Sequence, residues 1–323
     1  MKDASGRSCS GEGTRGFTLL EIAVSLAILT LSMTFVFAAF LSRQQSFLAQ
    51  EEITRMQRNI RTGMGFLERD LRSAGYGFPP GVAVRIPHGL TGGVPVLLVS
   101  GLGVADGGTS APDNLYVAHL SSAPTRLAFD MERSSSGLQV QDTRDWKAGD
   151  IGIVFDSGDS DLFRVSRVGR RLERAPGDTF PFDLSKAYGE GSSVARLAFA
   201  GYFVGPDTGK GHTALFRTGV DSSGAPVSRV IAEDIEDMQV RLYFPNGAER
   251  DVEGPGLDPS PLAGAVGVRV HLAARGRLVS PGIGGVPVAK WNRTDVVSLS
   301  THRGHGRRTM EGFFGFRNRG IEP

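Results

Sequence analysis

The sequence predicts an α+β protein: one long N-terminal helix packed on a mostly antiparallel, β-rich globular head. Three observations carry this. An apolar run from Phe17 to Leu41 contains a single ionisable side chain, Glu21. After it, Ile53, Met56, Ile60, Met64, Leu67, Leu71 and Ala74 recur at spacings of three and four, which is one face of an α-helix. Beyond Gly81 that period vanishes, and short β-rich runs alternate with turn-forming stretches.

Composition limits the function classes. The chain has 323 residues, 40% hydrophobic and 22% charged, which suits an ordinary packed core. Its net charge is +2, and no basic run exceeds two residues apart from the neighbourhood of Arg303 to Arg308, so charge does not favour nucleic-acid binding. The one cysteine, Cys9, precedes the apolar run. Without the first 16 residues the chain has no thiol for disulfides, nucleophilic catalysis or thiolate metal sites, even in an oxidising compartment.

Residues 1–16 mix Lys2, Arg7 and Arg15 with Asp3 and Glu12 among small polar residues, as expected of an unstructured, cytoplasm-facing lead. Segment 17–41 is longer than the 7–15 residues usual for a signal-peptide core, and a membrane span needs about 20. Val36-Phe37-Ala38 is a passable signal cleavage site, but apolar sequence continues past it. An uncleaved signal anchor is the plain alternative. A carboxylate inside such a span is costly, which makes Glu21 a candidate functional residue.

Arg15-Gly16-Phe17-Thr18-Leu19-Leu20-Glu21 resembles the cleavage and methylation motif of type IV prepilins and type II secretion pseudopilins. The resemblance implies that a membrane peptidase cuts between Gly16 and Phe17 and N-methylates Phe17. It also implies that Glu21, fifth in the mature chain, sets the register of a subunit entering a filament. The physical counterpart is an ammonium on Phe17 beside the positive end of a helix, with Glu21 one turn along to complement it within its own chain or on a neighbour.

The helix is expected to run on through residues 17–78. No proline interrupts it from Phe17 to Phe78, and Gly75, Gly77 and Pro79-Pro80 read as its stop. About 58 residues would span roughly 87 Å. The apolar stripe of the second half lasts about three heptads without e/g charge pairing, so docking on a head is expected rather than a coiled coil.

Expected strands are Val94–Val99, Asn114–Leu120, Arg126–Phe129, Ile151–Phe155, Leu162–Val168, Val194–Val204, Ala214–Thr218, Met238–Phe244, Val266–Ala273, Asp295–Ser300 and Arg307–Phe316. Alternation along Val266–Leu272 predicts one buried and one wet face. Expected loops are Gly101–Pro112, Ser134–Gly137, Asp156–Asp161 and Gly247–Pro261. No linker divides residues 79–323, which are read as one head.

Other segments resemble PilW-like minor pilins: Phe66–Tyr76, Trp146–Val154, Ala232–Tyr243 and Phe316-Arg317-Asn318. On residue chemistry alone, Gly149-Asp150 is a turn before a strand and Asp234–Asp237 a polar helix start. The resemblance implies a minor pilin of the priming or tip complex. Its partners would be prepilin peptidase, other minor pilins and the major pilin, inner-membrane assembly proteins, membrane lipid before assembly and, in some members, a tip adhesin. It further implies an inner-membrane protein with a periplasmic head that later reaches the pilus tip or cell surface. A J-type pseudopilin is the nearest alternative; Glu21 argues against the K type. An anchored periplasmic enzyme or binding module is the rival from another class.

No catalytic, cofactor or metal site is expected. Asp156–Asp161 lacks the glycine and glutamate positions of a calcium-binding EF-hand loop and reads as a solvated turn. His302-Arg303-Gly304-His305 lacks the helical spacing of a zinc site. Gly101-Leu102-Gly103 lacks a phosphate-binding pattern, and neither Gly-x-Ser-x-Gly nor Ser-x-x-Lys occurs.

Overall fold

The computed structural model describes residues 17–78, 82–93, 96–108, 111–174, 183–252, 262, 264–279 and 305–316. The lead with Cys9 and Gly16, Pro79-Pro80, the expected strand Asp295–Ser300, His302-Arg303-Gly304 and Arg317-Asn318 lie outside these residues. The chain divides between Glu51 and Glu52 into two units.

One α-helix, α1, runs from Leu19 to Ser73, 55 residues. In the first unit every residue from Phe17 to Leu48 is exposed, and an 18-residue window of the helix reaches a mean hydropathy of 2.3. That is long and apolar enough to cross a membrane. In the second unit the helix face of Met56, Ile60, Met64, Leu67 and Leu71 is buried, so it docks instead of forming a coiled coil. A Cβ on Gly63 would stand 3.0 Å from Leu215 and 3.2 Å from Leu272, which shows how closely the helix approaches the strands.

Strand pairings among the described residues are all antiparallel. Among the described residues the larger sheet has twelve strands: β1 (Ala83–Ile86), β2 (Val96–Val99), β3 (Leu102–Ala105), β4 (Asn114–Leu120), β5 (Thr125–Arg126), β6 (Gly137–Leu138), β7 (Ile151–Phe155), β8 (Ser160–Val168), β9 (Leu172–Arg174), β10 (Ser193–Asp207), β11 (His212–Val220) and β12 (Pro226–Glu233). The smaller sheet is β14–β13–β15–β16, with β13 at Ile235–Tyr243, β14 at Glu249–Asp251, β15 at Gly267–Val279 and β16 at His305–Gly315. The 15-residue β10 is the hub of the larger sheet: it pairs with β5 and β7 through its start, β4 through its middle and β11 through its end. One core cluster joins α1 to both sheets, with Leu115, Tyr202 and Leu215 on one side and Val240, Val270 and Leu272 on the other.

Several local expectations differ. The expected loop 101–112 contains β3, and the loop 247–261 contains β14. Arg126–Phe129 shrinks to the two residues of β5 plus a single bridge from Leu127 to Val140. Asp234–Asp237 does not start a helix: Asp234 turns the chain at φ 59° and the rest opens β13. The wet face of β15 is also drier than expected. His271 lies between Gln239 and Glu311 on the flanking strands and is 8% exposed, and burial lowers its pKa.

Asp113 stitches the two sheets together. Its carboxylate accepts from the Val240 N–H at 2.7 Å and the Gly107 N–H at 3.1 Å, and its own N–H donates to the Met238 carbonyl at 2.8 Å. At 1% exposure, desolvation pushes its pKa up to about 7, with nearby Asp106 adding to the rise. A folded-state pKa above the ordinary 3.8 means that the native state holds the proton more tightly. This contribution is therefore fully present below about pH 4 and is lost as pH rises to about 7. Half-buried His119 and buried His271 have lowered pKa values and act in the opposite sense below their ordinary 6.5. The wild type should thus lose stability relative to Asp113→Asn between pH 4 and 7, read as urea midpoints across that range. Parallel pH profiles for the two proteins would refute the assignment.

Candidate functional site

The N-terminus of α1 is built by Thr18 and Glu21. Thr18 stands before the first helical residue, and its hydroxyl accepts the Glu21 N–H at 3.2 Å. Glu21 reaches back, and its Oε2 accepts both the Thr18 N–H and the Thr18 hydroxyl at 3.0 Å. This is a reciprocal capping box: two N–H groups that the helix leaves unpaired are each satisfied by the other residue's side chain. The signal is present in the sequence as Thr-x-x-Glu, but the roles expected of the carboxylate there concern the membrane, the Phe17 ammonium and filament register, not a cap. The cap also holds the negative charge against the positive end of the helix.

The predicted site residues are thus partly assembled. Gly16 lies outside the described residues. Phe17 is 84% exposed, immediately ahead of the cap, and Glu21 is the third residue of the helix. The partner that the structure gives Glu21 is Thr18, which the sequence analysis did not single out.

Along the same span, each hydroxyl is satisfied within the helix. Ser25 donates to the Glu21 carbonyl at 2.7 Å, Thr30 to Ala27 at 2.9 Å, Ser32 to Ile28 at 2.8 Å and Thr34 to Thr30 at 2.8 Å. Such back-bonding lets polar side chains sit in an apolar medium without unmet donors.

In the head, polar side chains pin α1 to the strands. Asp70, 8% exposed, accepts from the Tyr202 hydroxyl at 2.6 Å and from Arg217 Nε at 2.7 Å, while Arg69 Nε approaches its other oxygen at 3.3 Å. Burial and the adjacent carboxylate raise the Tyr202 pKa far above its ordinary value. Further up the helix, Asn59 donates to the Glu233 carbonyl at 2.9 Å, and Arg55 lies 3.6 Å from Asp234. The acidic stretch 233–237 is therefore the seam where β12, β13 and α1 meet.

The acidic turn between β7 and β8 has its charge balanced by protein groups. Lys186 Nζ lies 2.7 Å from Asp156 and 3.2 Å from Asp159, and its hydrogen bond draws the Asp156 pKa down to about 2. Asp161 accepts from the Ser185 N–H, the Ser185 hydroxyl and the Tyr188 hydroxyl. Among the described residues no cluster of three or more His, Cys, Asp and Glu side chains is placed to hold a metal ion.

Comparison with protein-family models, with curated proteins and with solved structures finds no match.

Proposed function

We propose that the chain is a type IV pilin-like structural subunit, cut between Gly16 and Phe17, methylated on Phe17 and assembled through its helix. The observation that supports this most directly is the start of α1. A carboxylate is held by Thr18 at the head of an exposed, membrane-length apolar helix whose continuation is docked on a β-rich head. A helix that presents apolar side chains all round is suited first to lipid and then to lateral packing against other such helices. Cleavage would place an ammonium one residue ahead of the cap, so that Glu21 meets a cation within its own chain or on the preceding subunit. The β-rich head supplies partner contacts and performs no reaction.

The more specific reading is a PilW-like minor pilin of the priming or tip complex, single-pass in the inner membrane with its head in the periplasm before assembly, and at the pilus tip or cell surface afterwards. Its partners are prepilin peptidase, other minor pilins and the major pilin, inner-membrane assembly proteins and, in a tip role, an adhesin. Mass spectrometry of the chain from cells with an active prepilin peptidase should find N-methylated Phe17 as the first residue, and Gly16→Ala should remain full length. Normal processing of that variant, or an uncut wild type, overturns the reading and favours a permanently anchored module. Pilus counts and protein secretion in a deletion strain separate a minor pilin from a J-type pseudopilin.

A further inference from the structure

We propose that β12 is a docking edge for an extended, acidic segment of another protein, which adds to the sheet as a further strand. Among the described residues β12 pairs only with β11, and over its eight residues all but Ala232 are exposed or half-buried. Most other strands at the borders of the sheets are too short to template a partner: β1 has four residues, β14 three and β6 two. The 11-residue β16 is long enough, but two of its three full charges are matched, Arg307 on Glu236 and Glu311 on Arg269, which leaves Arg308.

Of the two charges of β12, Glu233 is matched by Lys210 and, among the described residues, Arg229 is not. Arg229 stands directly opposite Arg217 on β11, a like-charge cross-strand pair that destabilises an isolated sheet. Arg69 of α1 lines the same groove, its guanidinium 5.2 Å from the centre of the Phe66 ring. Asp70 meets Arg69 and Arg217 from the buried side, and among the described residues Arg229 has no acidic partner. A single arginine on an edge strand is an ordinary guard against aggregation. Three guanidiniums line one groove of about 390 Å³ together with Phe66, Val227, Ile231 and a single carboxylate, Asp221, an excess of positive charge that suits alternate acidic and apolar side chains. A strand paired to the open edge of β12 would place every second side chain over that groove, so backbone hydrogen bonds would supply affinity and the arginines selectivity. This surface lies wholly in the head and is independent of processing at Gly16.

The test uses the full chain in nonionic detergent and fluorescein-labelled peptides, read by anisotropy. Acetyl-(Val-Glu)4-amide should bind; (Val-Lys)4, which reverses the charge, and a (Val-Glu)4 N-methylated at every residue, which lacks the backbone donors, should not. Arg229→Glu, an exposed change whose folding is checked by its unfolding midpoint, should weaken the (Val-Glu)4 complex at least about tenfold. Equal binding of the lysine or N-methylated peptide, unchanged binding to Arg229→Glu, or no binding of (Val-Glu)4 to the wild type overturns the proposal. Self-association of the wild type that Arg229→Glu abolishes would make a second copy the occupant, which also overturns it.

Discussion

Asp70→Ala should destabilise the head by roughly 2–4 kcal/mol, because it strips one carboxylate from several partners at once. Arg217 would keep its charge with no counter-ion on the buried side, and the Tyr202 hydroxyl would lose its 2.6 Å acceptor, leaving the Phe66 carbonyl at 3.1 Å. Arg217 is about a third exposed, so water recovers part of the loss and the expected cost stays below that of a fully buried orphan charge. Tyr202→Phe removes one donor and leaves the ion pair, so about 1 kcal/mol is expected. Urea unfolding of the full chain in detergent, followed by tryptophan fluorescence, measures both. A loss below 1 kcal/mol for Asp70→Ala, or equal losses for the two variants, would show that the network does not secure α1 to the strands.

Gly101→Ala should be more damaging still, at about 4 kcal/mol or more, for a reason that a scan of side-chain contacts would miss. Gly101 has φ 79°, and a Cβ built there would lie 2.3 Å from the Ala118 carbonyl oxygen and 2.4 Å from the Gly75 nitrogen. Those two atoms are hydrogen-bonded to each other at 3.0 Å, and the Ala118 N–H donates to the Gly101 carbonyl at 2.7 Å. The methyl would thus be driven into the bond that ties the end of α1 to β4. Gly92 is the control: its φ of 67° is also left-handed, but nothing lies within 4 Å of its would-be Cβ. Gly92→Ala should cost only the backbone term, about 1 kcal/mol. Similar losses for the two would mean that conformation alone, and not the crowded junction, makes Gly101 necessary.

The long helix was legible because it is written in two unambiguous patterns, unbroken apolarity and then a 3.6-residue stripe. The strands β4 and β7 were read to the residue, since each is a short apolar run bounded by turns. The strand β3 was lost because Gly103 interrupts it. Its missing side chain makes room for Val96 and Leu98, whose atoms would lie 2.7 and 2.8 Å from a Cβ there, a tertiary requirement with no local signature. The strand β12 was lost for the opposite reason. It begins with Pro226 and is wet along most of its length, so it carries little of the alternation that marks a half-buried strand. At the candidate site the position and charge of Glu21 are readable, and its partner Thr18 is legible as the first residue of a Thr-x-x-Glu capping box.

The internally bonded hydroxyls of α1 also bear on how the helix moves. A span whose Ser25, Thr30, Ser32 and Thr34 each donate to a carbonyl of their own helix offers neighbours no free hydroxyl donor. In lipid it is free to spin about its long axis, because every azimuth presents much the same greasy surface. In the proposed assembly, orientation would then be imposed by the carboxylate at the first turn. Such a helix would there be a bearing more than a key, passing from lipid into a bundle of like helices with these internal hydrogen bonds kept.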